Sequence, residues 1–302
     1  MTKVRIGIDV MGGDFAPSAT IKGSVLALDN LADGIEIVLI GNQNQITNEL
    51  KKQQVDTSAF SIVNAPDIIE MGDHPTKAFV QKPKSSIAVG FGLLKQGKID
   101  GFASAGNTGA MFVGGYMSVK PIPGILRPCI SSVLPKLDGG VNVILDVGAN
   151  ADCKADVLYQ FGILGSLFAE HVCGVQTPRV GLLNIGEEES KGNMLTIAAH
   201  EMMKDSTDFN FCGNIESRHL FDDECDVIVC DGFSGNVILK QAESVYSLIK
   251  QRQIEDDYFD RFNYENYGGT PILGLNKTVV IGHGISNDCL LYTSDAADDS
   301  QC

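Results

Sequence analysis

The sequence predicts a doubly wound α/β fold, in which a mostly parallel sheet carries helices on both faces. Three observations predict it. Short runs rich in Val and Ile alternate along the chain with segments of helical pattern. The apolar runs are continuous, as expected for parallel strands that are buried on both faces. Polar turns rich in Gly and Asn follow several of these runs, where an open sheet binds its ligands.

Eight strands are predicted, each a short and mostly apolar run that ends at a polar or glycine-rich turn. They are 5–10, 35–41, 60–65, 99–105, 141–148, 179–186, 227–232 and 278–284. Seven segments with helical spacing lie between them, at 17–29, 43–53, 85–96, 108–118, 155–173, 194–204 and 236–251. The segment 155–173 is apolar on nearly every side, which predicts a central packed helix. We expect residues 1–288 to form a single α/β domain, with a short helical excursion near 241–266.

The composition excludes several classes of protein. The chain has 302 residues, of which 44% are hydrophobic, and a formal net charge of −15. A surface so acidic repels phosphate backbones, so we expect no nucleic acid among its partners. The eight cysteines include no CxxC pair, and the chain starts without a signal-peptide pattern. Free thiols in a reducing cytoplasm are therefore expected, and the longest apolar stretch, 157–169, is too short to span a bilayer.

One segment differs from the acidic remainder of the chain. Between His74 and Lys136 there are eight basic residues and a single acidic residue, Asp100, which gives a local net charge of +7. These side chains are either scattered over a solvated surface or gathered into a basic face that meets an acidic partner. The composition alone does not distinguish the two interpretations.

Six polar turns rich in Gly and Asn follow predicted strands, at 9–14, 104–109, 146–152, 184–193, 231–236 and 282–287. A turn that opens a helix presents free N–H groups and the positive end of the helix dipole. Glycine lets the backbone approach a ligand closely. Any one of these turns is typical of α/β loops, but six of them together predict a phosphate or oxyanion cleft.

No familiar catalytic motif accompanies these turns. The sequence has no GxGxxG after the first strand, no GxxxxGK[ST] loop and no GxSxG elbow. This pattern favours a site that positions an anionic nucleophile beside an electrophile. Lys191, in a glycine-flanked loop, is a candidate partner for phosphate, and the alternative is an ion pair with Glu187 to Glu189. Among the five histidines, His283 falls in a strand-end glycine turn.

At these turns the chain resembles the bacterial phosphate acyltransferases of phospholipid synthesis. The resemblance runs from about residue 4 to 288 and is carried, in order, by GIDVMGGDFAP, SAGNTGA, LDVGANAD, LLNIGEEESKGN, VCDGFSGNV, YGGTPILG and GHGIS. It implies that inorganic phosphate attacks the thioester of a long-chain acyl carrier protein, and that the acyl phosphate serves a membrane glycerol-3-phosphate acyltransferase. It also implies a homodimer, no metal or organic cofactor, and a fold related to phosphotransacetylases and isocitrate-type dehydrogenases.

The turns and the resemblance together give each candidate residue an expected role. The expected catalytic residues are Lys191, which balances charge, Asn236, which contacts phosphate or the oxyanion, and His283, which protonates the leaving thiolate. Substrate binding is expected at Gly106, Asn107, Thr108, Asn150, Asn184 and Gly235. The acidic carrier protein is expected to dock at Lys77, Lys82 and Lys84.

The sequence departs from the family's pattern in three places. Val80 and Gln81 stand where many members have arginines, so docking in this loop would rest on its lysines. The segment 241–266 replaces a long amphipathic hairpin implicated in dimerisation and membrane contact, and its acidic residues would be repelled by anionic lipid. Residues 289–302 follow the last motif without an apolar helical face, and we expect them to be a non-native tail after a C-terminal truncation.

Two other functions fit the same residues. A phosphotransacetylase-like enzyme would use acyl-coenzyme A as the donor, with the basic segment against its nucleotide. A non-catalytic module would bind phosphate or the acyl carrier without turnover. In each case a cytoplasmic protein is expected, either free in solution or in peripheral contact with the membrane.

Overall fold

The structure, a computed structural model, describes residues 3–28, 30–263 and 267–284. The chain divides into two compact units. Unit 1 takes its described residues from Met1–Ile122 and Glu265–Cys302, and unit 2 takes them from Pro123–Tyr264. The single domain expected over 1–288 stays a prediction, and the tail expected at 289–302 lies outside the described residues.

All eight predicted strands are present, and the described part of the chain contains three more. The strands are β1 (Val4–Asp9), β2 (Ile35–Gly41), β3 (Ser61–Asn64), β4 (Gly101–Ser104), β5 (Cys129–Pro135), β6 (Val141–Leu145), β7 (Arg179–Asn184), β8 (Asn210–Glu216), β9 (Val227–Val229), β10 (Thr270–Leu273) and β11 (Thr278–Ile281). The sequence pattern does not predict β5, β8 and β10, because polar residues, glycine or proline interrupt their apolar character.

All seven predicted helices are present as well, with two short additions. The helices are α1 (Ser18–Leu28), α2 (Gln43–Lys52), α3 (Pro75–Gln81), α4 (Ser86–Lys95), α5 (Thr108–Ser118), α6 (Ala155–His171), α7 (Met194–Met203), α8 (Gly232–Gln251) and α9 (Asp257–Asp260). The additions, α3 and α9, are too short to show a helical repeat in sequence. No helix among the described residues is long and apolar enough to cross a membrane.

Unit 1 contains six neighbouring strands in the order β3–β2–β1–β4–β11–β10, and only β10 runs antiparallel to its partner within the unit. The chain moves outward from β1 to β3 and then returns to the other side of β1. Because such crossovers are right-handed, α1 and α2 cover one face and α4 covers the other. The first face has a core that includes Ile21, Leu39 and Ile46, all fully buried.

Unit 2 contains five neighbouring strands in the order β5–β6–β9–β7–β8, with β5 antiparallel to β6 and the remaining pairs parallel. Helix α6 lies close to these strands because it carries glycine at the contact. A Cβ at Gly162 would lie 2.9 Å from the Phe209 ring, and one at Gly165 would lie 2.5 Å from Val227. Leu167 on the same helix is exposed, so α6 covers a sheet face and is not buried on all sides. The mostly parallel α/β fold is confirmed.

A buried ion cluster closes the amino edge of unit 2. The Lys136 ammonium bonds to Asp226 (2.7 Å) and Asp223 (2.8 Å), and Arg179 bonds to Asp226 (2.9 Å). Burial alone would raise the pKa of Asp226, but the hydrogen bonds from Arg179 and Lys136 hold it well below its usual value. This cluster lies at the ends of the strands opposite to the predicted turns.

Candidate active site

Three of the predicted turns meet at the carboxyl edge of unit 1. They follow β1, β4 and β11, which are neighbours. The Gly282 N–H donates to the Ser104 carbonyl at 2.9 Å. A Cβ at Gly12 would lie 2.5 Å from the Gly106 nitrogen, so the close approach of these turns requires glycine.

A buried carboxyl group organises this edge. Asp9 accepts hydrogen bonds from the Met11 N–H (2.9 Å) and the Ser104 hydroxyl (2.7 Å). The Ser104 oxygen in turn accepts from the Gly106 N–H at 3.0 Å. Asp9 is 1% exposed, and burial raises its pKa. The group therefore shapes the turn from within and does not face a ligand.

Asn107 begins α5 and also clamps a neighbouring loop. Its Oδ1 accepts from the Ala110 N–H at 2.9 Å, which caps the helix. Its Nδ2 donates to the carbonyls of Glu70 (3.0 Å), Met71 (3.2 Å) and Asp73 (3.1 Å). The side chain is 4% exposed. Its polar atoms are thus occupied within the protein, and a ligand at this turn would meet the backbone.

The backbone beside Asn107 is available for such a contact. Thr108 is exposed, and neither its N–H nor that of Gly109 has a hydrogen-bond partner among the described residues. These are the first two N–H groups of an eleven-residue helix, where the dipole favours an anion. Gly106 is buried, and its N–H is already bonded to Ser104.

The three predicted docking lysines occupy α3 and its end, but they have different surroundings. The Lys82 ammonium donates to Asp73 (2.6 Å) and to the Ile68 carbonyl (2.9 Å), and its hydrogen bond lowers the pKa of Asp73. Lys77 and Lys84 are exposed and have no ion-pair partner in the described part of the chain. Lys82 therefore anchors the loop that Asn107 also holds, while Lys77 and Lys84 present free charge.

The rest of the basic segment does not join them. Lys95 ends α4, and Lys120 follows the end of α5, so both lie at the amino edge of unit 1. Lys136 is buried in the ion cluster of unit 2. Neither original interpretation holds for the whole segment: some lysines are exposed on or just after α3, others lie at the opposite edge of unit 1, and Lys136 is buried in unit 2.

His283 follows β11 in the same unit as these groups. It is half-buried and stands between Gly282, bonded to Ser104, and Gly284, whose carbonyl accepts the Asp14 N–H at 2.7 Å. The glycine turn thus places the imidazole at the carboxyl edge of unit 1, as the sequence predicts.

Unit 2 has its own buried carboxyl group at the carboxyl edge. Asp146 follows β6 and accepts from the N–H groups of Ile130 (3.0 Å), Ala149 (3.2 Å) and Asn150 (2.6 Å). Burial raises its pKa. The Asn150 amide also donates to Asp146 and to the Pro128 carbonyl at 2.8 Å. Asn150 therefore holds the turn together, and its side chain is buried.

Helix α8 begins at Gly232, four residues before the predicted start at 236. The Asp231 carboxylate accepts from the Ser234 N–H at 2.8 Å and caps the helix there. The prediction that Gly235 and Asn236 form the turn is wrong, because both lie inside the helix. The capping aspartate decides where the helix starts, and the Gly-Asn pair does not.

Inside α8, both residues face the turn after β6. A Cβ at Gly235 would collide with the Asp146 carbonyl oxygen and lie 2.9 Å from the Cys230 sulfur. The Asn236 amide donates to the Val147 carbonyl at 3.2 Å and is half-buried. Gly235 is thus required for packing, and Asn236 retains a carbonyl oxygen for which the structure shows no hydrogen bond among described residues.

Lys191 lies in a closed loop after β7. The Asn184 amide donates to the Lys191 carbonyl at 3.1 Å, and its oxygen accepts from the Ile185 N–H at 2.9 Å. The Lys191 stem packs against Gly186, where a Cβ would lie 2.9 Å from Cγ. No carboxylate of the described residues lies within 4.0 Å of the Lys191 ammonium. The expected alternative, an ion pair with Glu187 to Glu189, is therefore absent there.

Comparison with known proteins gives the family. The family model described as "Fatty acid synthesis protein" matches residues 4–294. A phosphate acyltransferase from Halothermothrix orenii is 42% identical over 94% of this chain and 90% of its own length. The chain belongs to this family. A second phosphate acyltransferase, from Desulforamulus reducens, is 44% identical over 94% of the chain and 89% of its own length. The prediction of an acyltransferase that serves lipid synthesis is confirmed.

Solved structures agree with the fold. A phosphotransacetylase from Streptococcus pyogenes matches with a TM-score of 0.69 at 18% identity, covering 96% of this chain and 91% of that one. A phosphotransacetylase from Staphylococcus aureus gives 0.63 at 14% identity, covering 96% and 92%. At such identities the likeness shows the fold alone, and it confirms the prediction that the fold is related to that of phosphotransacetylases.

Sequence reasoning missed two supports of these turns. The clamp from Asn107 to the loop at 70–73 joins residues more than thirty positions apart, and no local pattern signals it. The role of Asp146 was open to detection, because the segments IDVMGG and LDVGAN both place Asp at a strand end before a glycine turn. Read together, those two segments predict two matching buried carboxyl groups.

Proposed function

We propose that this chain transfers a long-chain acyl group from acyl carrier protein to inorganic phosphate, giving acyl phosphate and free carrier protein. The observation that carries the proposal is the match, over 94% of the chain, to relatives named phosphate acyltransferase. The chemistry needs a held anion and a polarised thioester, and it needs no covalent intermediate on the protein.

In this reaction a phosphate oxygen attacks the thioester carbonyl carbon. The new C–O bond forms, the C–S bond breaks, and the carrier leaves as a thiolate that takes up a proton. Lys191 would balance the charge of phosphate, since its ammonium has no carboxylate partner among described residues. Asn236 would contact phosphate or the oxyanion through the second N–H of its amide, since the structure shows one amide hydrogen bond, to Val147. His283 would protonate the thiolate.

The substrate-binding residues divide into two kinds. Thr108 offers a free backbone N–H at the start of α5. The remaining five act by shaping the turns: Gly106 and Gly235 by close packing, and Asn107, Asn150 and Asn184 by side-chain hydrogen bonds. In this proposal the backbone N–H of Thr108 is the anion contact offered by unit 1 and Lys191 is the one offered by unit 2, while the asparagine amides hold the turns of their own units.

The acidic carrier protein would dock at α3. Lys77 and Lys84 supply exposed charge there, and Lys82 fixes the preceding loop through Asp73. Reversal of both exposed lysines to Glu is expected to weaken carrier binding and to reduce its dependence on salt. Lys95→Glu, at the opposite edge, is the matched control.

A second copy of the chain would cover α8. This helix buries only Gly232 and Gly235, and it exposes an apolar stripe formed by Val237, Val245 and Leu248. Such a stripe favours a homodimer, since an exposed apolar helix face is stabilised by a partner. We also propose that the enzyme acts in the cytoplasm and supplies a membrane glycerol-3-phosphate acyltransferase with its product.

The alternative donor is acyl-coenzyme A, which the fold shared with phosphotransacetylases favours. The test measures release of free thiol from palmitoyl carrier protein and from palmitoyl-coenzyme A, each with and without phosphate. The proposal expects phosphate-dependent release from the carrier protein, with a higher kcat/KM than for coenzyme A. Preference for coenzyme A would establish the alternative, and binding without turnover of either donor would identify a non-catalytic module.

A further inference from the structure

The two most exposed large apolar side chains of unit 2 lie near Lys191 in the sequence. Met194 is 90% exposed and Ile185 is 81% exposed, and they stand at the two ends of the loop that carries Lys191. Phe233, at the start of α8, is 67% exposed. We refer to Ile185, Met194 and Phe233 as the apolar rim.

The exposure of the rim is built into hydrogen-bonded structure. Asn184 closes the loop on Lys191 at 3.1 Å, and the Asn214 amide donates to the Glu188 carbonyl at 3.0 Å. Asn193 and Thr196 form reciprocal bonds of 2.9 and 3.0 Å that fix the start of α7 next to Met194. These bonds fix the segments that carry Ile185 and Met194, whose side chains remain largely exposed to solvent.

The rim also lies at one edge of the strands. Ile185 directly follows β7, and Phe233 follows the end of β9 by four residues. These strands pair in parallel, with Val180 opposite Val227 and Leu182 opposite Val229. Neighbouring strands are about 4.8 Å apart, so the segments after them emerge side by side.

We propose that the apolar rim receives the acyl chain of the donor and sets the preference for chain length. This inference rests on the proposed function. If Lys191 holds phosphate, the thioester carbonyl carbon must lie about 3 Å from the attacking phosphate oxygen. The first methylenes of the acyl chain then lie beside the Lys191 loop. Apolar side chains at that place make the binding free energy of a long acyl chain more favourable and change that of a short acyl chain little, because a short chain buries little apolar surface.

The rim is distinct from the stripe on α8 that we assign to a second copy. Val245 and Leu248 lie in the later turns of α8, whereas the rim residues lie at the first turn of α8 and at the two ends of the Lys191 loop. Val237 follows Phe233 by one turn, so the stripe begins next to the rim and extends away from it. A donor chain also explains why apolar groups flank a cation, because the substrate carries its reacting group at one end of a hydrocarbon.

The test compares palmitoyl and butanoyl carrier protein as donors for the wild type and for Ile185→Ser/Met194→Ser and Phe233→Ser variants. We expect the palmitoyl-to-butanoyl ratio of kcat/KM to fall about tenfold or more, since one buried methylene is worth about fourfold. Val172→Ser is the matched control, because Val172 is also 67% exposed but ends α6 at the opposite edge. Its ratio is expected to equal that of the wild type.

A binding measurement separates this inference from the proposed function. Calorimetry with octyl and butyl phosphate needs no turnover, and the wild type is expected to bind octyl phosphate more tightly, with the difference reduced in the rim variants. If the wild type binds octyl phosphate more tightly in this way but releases no carrier, the proposed function is wrong and the rim is still the site that binds the alkyl chain. An unchanged ratio and unchanged alkyl phosphate affinities overturn the inference, as does a loss of dimer in the rim variants without a change in chain-length preference.

Discussion

The two Gly-Asn pairs of this chain have the same letters and different structural roles. In unit 1, Asn107 is the cap of α5, and its amide clamps three carbonyls of the loop at 70–73. In unit 2, Asp231 is the cap of α8, and Asn236 lies in the helix with one amide hydrogen bond, to Val147. The position of the capping side chain, and not the Gly-Asn pair, decides what each residue does.

The glycines differ in the opposite sense. A Cβ at Gly106 would stay 3.1 Å or more from its neighbours, whereas one at Gly235 would collide with the Asp146 backbone. Unit 1 therefore depends on its asparagine, and unit 2 depends on its glycine. The comparison shows that the structural role of a Gly-Asn pair depends on where the neighbouring helix begins.

The largest difference between the units is expected at their amino edges. Asp226→Asn should lower the free energy of unfolding by about 3–5 kcal/mol, because Lys136 is left buried without its closest partner. Asp100→Asn, which breaks a half-exposed pair with Arg5 in unit 1, should lower it far less, because solvent screens that pair. Urea unfolding at neutral pH measures both, and equal losses would remove the contrast.

The same aspartate predicts a dependence on pH. The pKa of Asp226 is lower in the folded chain than in the unfolded chain. Its contribution to stability is therefore present above about pH 4 and is lost as the pH falls toward the folded pKa. When the pH is lowered from about 5 to about 3, the free energy of unfolding measured with urea should fall less for Asp226→Asn than for the wild type. Equal decreases in the two proteins would count against the role of the cluster.

Glycine substitutions test the packing half of the comparison. Gly235→Ala should destabilise the protein by about 2–3 kcal/mol, because the backbone of Asp146 must move. Gly106→Ala should change stability by about 1 kcal/mol or less, since its contacts are only tight. Thermal unfolding followed by circular dichroism gives both values, and the reverse order would show that the turn in unit 1 is the more constrained.

Asparagine substitutions test the other half and are expected to have smaller effects. Asn107→Ser keeps an oxygen for the helix cap but leaves three carbonyls without their donor, at a cost of about 2 kcal/mol. Asn236→Ser removes one hydrogen bond and should cost about 1 kcal/mol. Limited proteolysis should also cut faster near residue 71 in Asn107→Ser alone, and no change there would mean that the clamp does not hold the loop.

The success and failure of sequence-based prediction follow from the same physics. Buried parallel strands such as β2 and amphipathic helices such as α2 are local patterns, and the structure confirms them. The sequence pattern starts α8 four residues late because it assigns Gly235 and Asn236 to the turn, whereas the Asp231 carboxylate accepts from the Ser234 N–H and the helix begins at Gly232. The loop clamp and the Lys136 cluster join distant residues, and such pairings depend on the tertiary fold.

The candidate site shows the same limit. The sequence predicts which turns lie at strand ends, and it identifies Lys191 as a candidate partner for phosphate while leaving an ion pair with Glu187 to Glu189 as the alternative. It does not predict that Asn107, Asn150 and Asn184 turn their amides inward, because an asparagine in a polar turn has the same pattern whether it faces a ligand or the backbone.

The central claim is that Lys191 meets phosphate while Asn107 supports the turn. It is tested most directly by the KM for phosphate in the release of carrier from palmitoyl carrier protein. We predict that Lys191→Met raises this KM about tenfold or more, since a charge-assisted contact is lost. Lys204→Met, at the other end of α7, and Asn107→Ser should leave it within about threefold. A large rise for Asn107→Ser with no change for Lys191→Met would contradict the account.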